Sequence, residues 1–150
     1  MPVTTKFRTD LIGEEQNIRF AAFRSLWRLW AGRMTAGQLP ARAEFLDWSR
    51  YIGMFEVDPQ TGKLRVKLAC KAMIELNNKE ITGAFLEDIC HPEVLEDVLE
   101  PYRTAAVRRV ATQQQIVISG EVTPADLELL VLPMSANGQD VDYYATTNTV

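Results

Sequence analysis

The chain has 150 residues, a formal net charge of −4, and 47% apolar against 24% charged side chains. That length allows one domain with its own core and is short for two, and no run of about 18 apolar residues is present to span a membrane as a helix. Residues 1–50 carry eight Lys/Arg against five Asp/Glu and residues 51–150 eight against fifteen, so the acidic main body argues against general nucleic-acid binding, which needs phosphates neutralised.

Residues 1–13 show no periodic pattern and read as a flexible lead-in ending at Gly13. Met1 is followed by no apolar secretory core, so a cytoplasmic location is expected. From Glu14 the pattern becomes helical: Ile18, Ala22, Leu26, Leu29 and Trp30 recur at a spacing of three to four, widened by Phe23, Trp27 and Met34. This N-terminal helix, assigned to residues 14–36, carries Arg24 and Arg28 on a solvated polar side. Phe23, Leu26, Trp27 and Trp30 exceed what one sheet face needs, and a homodimer through this helix is expected. The alternative is that both tryptophans pack on the chain's own sheet.

Gly37-Gln38-Leu39-Pro40 stops the helix, and a short second helix is expected over 41–51, with Phe45, Leu46 and Trp48 as its apolar positions. Ile52 to Val57 reads as a strand closed by the turn Asp58-Pro59-Gln60-Thr61-Gly62. Leu64, Val66 and Leu68 alternate with Arg65 and Lys67, giving a half-buried partner strand. The middle is helical in pieces: Lys71 to Leu76, then Phe85, Leu86 and Ile89, then a longer pattern from Pro92 that Pro101 is expected to kink or split. The last third, from Gln114, alternates in three runs (Ile116 to Val122, Leu127 to Leu132, Val141 to Thr146), with Asn137-Gly138 as a hairpin signal.

Two strands, a helical crossover and three strands give an α+β domain whose helices cover an antiparallel sheet. Three stretches resemble a proteobacterial PAS-like family: Gly37-Gln38-Leu39-Pro40-Ala41-Arg42, the crossover Asn78-Lys79-Glu80-Ile81-Thr82-Gly83, and the last hairpin from Leu132-Pro133-Met134 to Asp142. The chain departs from that family at Ala69-Cys70-Lys71, where a Val-Gly-Thr-like segment is usual, and at Asn78, which replaces a glycine. The resemblance implies a PAS-like domain over 37–150 with a five-stranded antiparallel sheet in order 2-1-5-4-3, residues 52–57 beside 141–146. It also implies a non-enzymatic sensory or regulatory module that binds a small molecule or a protein, such as a histidine kinase, in bacterial signalling. The alternative is a small enzyme of the cone-shaped ketosteroid-isomerase-like fold, which strand order distinguishes.

No catalytic constellation is visible. His91 is the sole histidine and precedes Pro92, which favours a capping or surface role over haem ligation. Cys70 and Cys90 lack CxxC spacing and read as reduced thiols, so no metal and no cofactor is expected. The acidic pairs Glu87-Asp88 and Glu96-Asp97 read as solvent-facing, since neighbours on a helix diverge by about 100°. Tyr143 and Tyr144 point to opposite faces of the last strand, one of them into the core. A cavity, or else a filled core, is expected between the crossover and the inner sheet face. The resemblance places Leu68, Met73, Ile74, Thr82, Phe85, Leu86, Ile89, Leu129, Val131 and Tyr143 around it. Such a lining suits a small apolar ligand with one or two polar anchors, and no charged ligand such as a nucleotide is expected.

Overall fold

The structure is a computed structural model that describes residues 4–12, 18, 21–35, 37–41, 44, 52–77, 79–119, 125–137 and 139–147. The elements in chain order are β1 (Thr4–Ile12), α1 (Ala21–Thr35), β2 (Ile52–Val57), β3 (Leu64–Leu68), α2 (Lys71–Asn77), α3 (Leu86–Ile89), α4 (Leu95–Arg108), β4 (Ala111–Ser119), β5 (Ala125–Met134) and β6 (Tyr143–Thr147). The expected helix over 41–51 falls almost wholly outside the described residues, as does the link between β4 and β5.

The strands form one antiparallel sheet in order β1-β4-β5-β6-β2-β3. Residues 52–56 pair with 143–147, so the two strands expected to be neighbours are neighbours. The sheet has six strands rather than five. Residues 4–12, expected as a flexible lead-in, form the edge strand β1, paired with β4 from Thr4↔Ser119 to Ile12↔Ala111. Its polar Lys6, Arg8 and Asp10 suit an edge, where charged side chains discourage further pairing.

Each sheet face has its own core. On the outer face Ile52, Met54, Leu130, Leu132, Met134 and Ala145 pack with Phe23, Leu26 and Trp30 of α1. Those three helix residues stand at i, i+3 and i+7, the stripe of a helix lying on a surface. Leu26 is 0% exposed. The dimer expectation is therefore corrected for Phe23, Leu26 and Trp30: their stripe is buried on the chain's own sheet, and only Trp27 of the four is half-buried. The helix ends with Gly37 at φ 80°. Gly37 N donates to Met34 O at 2.9 Å and Gln38 N to Arg33 O at 3.1 Å, closing the last turn.

On the inner face Phe55, Val66, Val131 and Tyr144 pack with Met73, Leu86, Leu99, Tyr102 and Ala105. This is the layer built by the crossover. Pro101 was expected to kink or split its longest helix, yet α4 is one helix with Pro101 inside it. A proline removes the N–H that would bond to the carbonyl four residues back. Here that carbonyl, Asp97 O, accepts a hydrogen bond from Gln114 Nε2 at 2.6 Å. Thr112 Oγ1 donates to Pro101 O at 2.9 Å. Two β4 side chains thus supply hydrogen bonds along the proline turn. The helix closes at Arg109, whose φ of 54° is left-handed.

Among the described residues, no helix is long and apolar enough to cross a membrane.

Candidate functional site

The inner layer leaves an open cleft of about 420 Å³ between α4 and the β2–β3 hairpin. The hairpin turn shapes one wall. Asp58 Oδ1 accepts the N–H groups of Gln60 at 2.8 Å and Thr61 at 3.1 Å, and these backbone bonds hold the Asp58 carboxyl below its usual range. Gly62, at φ 76°, makes the reversal that an L side chain resists. Lys63 is carried to the rim and Leu64 to the wall.

The floor is apolar and aromatic: Leu99, Tyr102 and Ala106 from α4, Tyr144 from β6, and Val57 and Val141 beside them. Tyr102 stands edge-on between two rings, 5.5 Å from Phe55 and 5.2 Å from Tyr144 between centroids, the arrangement aromatic quadrupoles favour. Its hydroxyl meets Thr146 Oγ1 at 3.0 Å. Burial pushes the Tyr144 hydroxyl up to about 12 and Tyr102 higher still. Both tyrosines are therefore neutral across the physiological range.

Among the described residues that line the cleft, the charged ones are Lys63, Arg103 and Glu87. Glu87 is half-buried and both of its carboxylate oxygens accept the Leu64 N–H, at 3.1 and 3.2 Å. Desolvation raises its pKa, against the lowering effect of that hydrogen bond. The expectation that Glu87 and Asp88 both face solvent is corrected here: Asp88 does, while Glu87 turns in to the hairpin backbone.

Of the residues named from sequence, Met73, Leu86 and Val131 do come together in the inner core, with Ile89 packed against them. They fill it. A methyl group placed on Gly53 of β2 would lie 2.0 Å from Met73 Sδ, so the thioether sits directly on the strand backbone. Leu68 is corrected to the outer face, where it packs against the α1 core. The register shift between Met54 and Phe55 is the cause, since Val66 pairs with Phe55 but Leu68 with Met54. Tyr143 likewise belongs to the outer face, opposite Met134. Thr82 is exposed, and its hydroxyl meets Glu80 Oε1 at 2.6 Å. Phe85 is half-buried under the Arg65 guanidinium, 4.2 Å from the ring centroid. Ile74 is half-buried, and Leu129 is half-buried opposite Gln114. Sequence reasoning missed Tyr102, Lys63, Glu87 and Arg103.

His91 is exposed, and its Nδ1 accepts the Glu93 N–H at 3.1 Å, a local capping arrangement. Cys70 is buried and Cys90 half-buried, both reduced. Among the described residues no group of three His, Cys, Asp or Glu side chains is placed to hold a metal.

The two remaining family-like stretches meet across the molecule. Ser135 N, in the β5–β6 connection, donates to Pro40 O at 2.9 Å. Trp30 Nε1 donates to Pro133 O at 2.8 Å in a buried bond. The connection itself is an eight-residue loop, 135–142, longer than the two-residue turn its Asn-Gly suggests. Asn137 Oδ1 accepts the N–H groups of Gln139 and Asp140, at 2.9 and 3.0 Å, and shapes it.

No family model and no curated protein matches the chain significantly. Among solved structures, one described as an RNA-binding Light-Oxygen-Voltage receptor aligns over 97% of this chain with a TM-score of 0.50 and 16% identity. This chain spans 38% of that one's length. At that identity the likeness concerns the fold, and the fold it supports is PAS-like.

Proposed function

We propose that the chain is a non-enzymatic PAS-type sensory or regulatory module. In this reading a small molecule binds in the α4–hairpin cleft and the event is passed to α1 on the opposite face. One observation carries the reading. Tyr144, on the cleft floor, pairs directly with Pro133 across the β5–β6 ladder, and the Pro133 carbonyl holds the Trp30 indole of α1. A shift of β6 that accommodates a ligand moves the acceptor on which α1 rests. Loosening α1 would uncover Phe23, Leu26 and Trp30, a surface suited to a second copy or to a signalling partner such as a histidine kinase. RNA binding, named for the structural neighbour, finds little support in residues 51–150, with fifteen acids against eight bases.

The test fills the cleft without a ligand. Ala106→Trp places a bulky ring on the floor, and Val107→Trp, at an 84% exposed neighbour, is the control. Amide hydrogen exchange in residues 21–35 should quicken severalfold in the first variant and not in the second. Unchanged exchange in α1, with the cleft filled and the fold intact, would sink the coupling.

A further inference from the structure

The cleft has a chemistry that narrows its ligand. Its volume, about 420 Å³, lies near the small end of ligand sites. Its floor is lined by Tyr102 and Tyr144, which with Phe55 form a chain of edge-to-face rings. A flat aromatic ligand continues such a chain at little entropic cost, being rigid.

The rim supplies the second half of the argument. The fold brings Lys63 from the hairpin and Arg103 from α4 to the same opening. Both are held by exposed partners. Lys63 Nζ lies 4.0 Å from Asp88 Oδ1, and Arg103 Nη1 lies 2.5 Å from Glu96 Oε2, a carboxylate that is 77% exposed. Exposed ion pairs of this kind are weak and readily exchanged. Among the described residues that line the opening the one acid is Glu87, and both of its carboxylate oxygens are engaged with the Leu64 N–H.

We infer, resting on the small-molecule reading above, that the cleft takes a small planar aromatic monocarboxylate. Its ring lies against Tyr102 and Tyr144, and its carboxylate lies between Lys63 and Arg103. Recognition is then divided: the floor selects shape and the two cations select charge. A ligand that lacks the carboxylate keeps the ring contact and loses the charge-assisted hydrogen bonds.

The experiment uses the full chain, labelled with nitrogen-15, and three probes of one shape: naphthalene-2-carboxylate, naphthalene-2-carboxamide and 2-naphthylmethylamine. The expected result is saturable amide shifts at Leu64, Tyr102 and Val141 with the carboxylate, and at least tenfold weaker binding of the carboxamide and the amine. In Lys63→Ala/Arg103→Ala, whose changes lie at exposed positions and leave the core intact, the carboxylate should fall to the level of the carboxamide. Equal affinity for carboxylate and carboxamide in the native chain overturns the acid assignment while leaving the small-molecule reading standing. Shifts confined to other parts of the chain, or none with any probe, overturn both the assignment and the cleft as a ligand site. Preference for the amine overturns the charge argument alone.

Discussion

Replacing Trp30 by phenylalanine tests the joint between the two faces of the sheet. The indole is 5% exposed and its Nε1 donates to Pro133 O at 2.8 Å. Phenylalanine removes the donor and leaves a buried carbonyl without that partner, a loss of about 1–3 kcal/mol. It also removes part of the buried ring, with a cavity where the five-membered ring stood, adding roughly 1–2 kcal/mol. The sum is about 3 kcal/mol, which for a chain of this size lowers Tm by roughly 6–12 °C. Urea unfolding followed by circular dichroism measures it, and the midpoint should fall with the slope unchanged. Substituting benzothienylalanine, which keeps the bicyclic shape and lacks the N–H, isolates the first contribution. If that isostere costs less than about 0.5 kcal/mol, the hydrogen bond is not what seats α1, and the coupling built on it fails.

Three further outcomes are expected. Gly53→Ala sets a methyl carbon against Met73 Sδ, so it should destabilise by about 1–3 kcal/mol; combined with Met73→Ala the two costs should sum to clearly less than additive in a denaturation cycle. Burial holds the Cys90 thiol at about 11 against an ordinary 9.0, so its alkylation at neutral pH should run roughly a hundredfold slower than that of a small free thiol. Tyr144, raised by burial to about 12, stabilises the fold fully below the ordinary tyrosine value of 10.0, and that contribution is lost as pH rises through about 12. The tyrosinate absorbance of Tyr102 and Tyr144 should therefore appear together with loss of structure at high pH, and ionisation of either near the ordinary value in a folded chain would contradict the packing.

Strand order was legible because apolar alternation in the sequence marks strands within β2 to β6, and because the Gly37–Pro40 and Leu132–Asp142 stretches belong to one contact in the fold. β1 was not legible. Its apolar positions are few, and its partner β4 lies about a hundred residues away, so nothing local marks it as a strand. The site was read with the right layer and the wrong members. Parity along β3 breaks at the irregularity between Met54 and Phe55, which no alternation rule foresees, and this sends Leu68 outward. Two adjacent tyrosines fix which pair of faces is used but not which tyrosine is inside; register against Pro133 decides for Tyr144. For Glu87 and Asp88, divergence on the helix was the right principle. One of them turns inward because the Leu64 N–H needs an acceptor.

The proline within α4 bears on the order in which the chain assembles. As an isolated segment, residues 95–108 lack one helical hydrogen bond, and the hydrogen bonds that Gln114 and Thr112 add along the proline turn come from the strand that follows. The α4 side of the cleft is therefore tied through Asp97 and Pro101 to the strand that follows it, and its proline turn gains these bonds only when β4 is in place. Thr112→Val, which removes the hydroxyl bonded to Pro101 O, tests this in folding kinetics: an effect mainly on the unfolding rate places that bond after the transition state. The same dependence operates in the native state. When β4 opens, the floor residues Tyr102 and Ala106 lose their support together, so slow amide exchange at 102–108 and at 112–114 should report a single opening event.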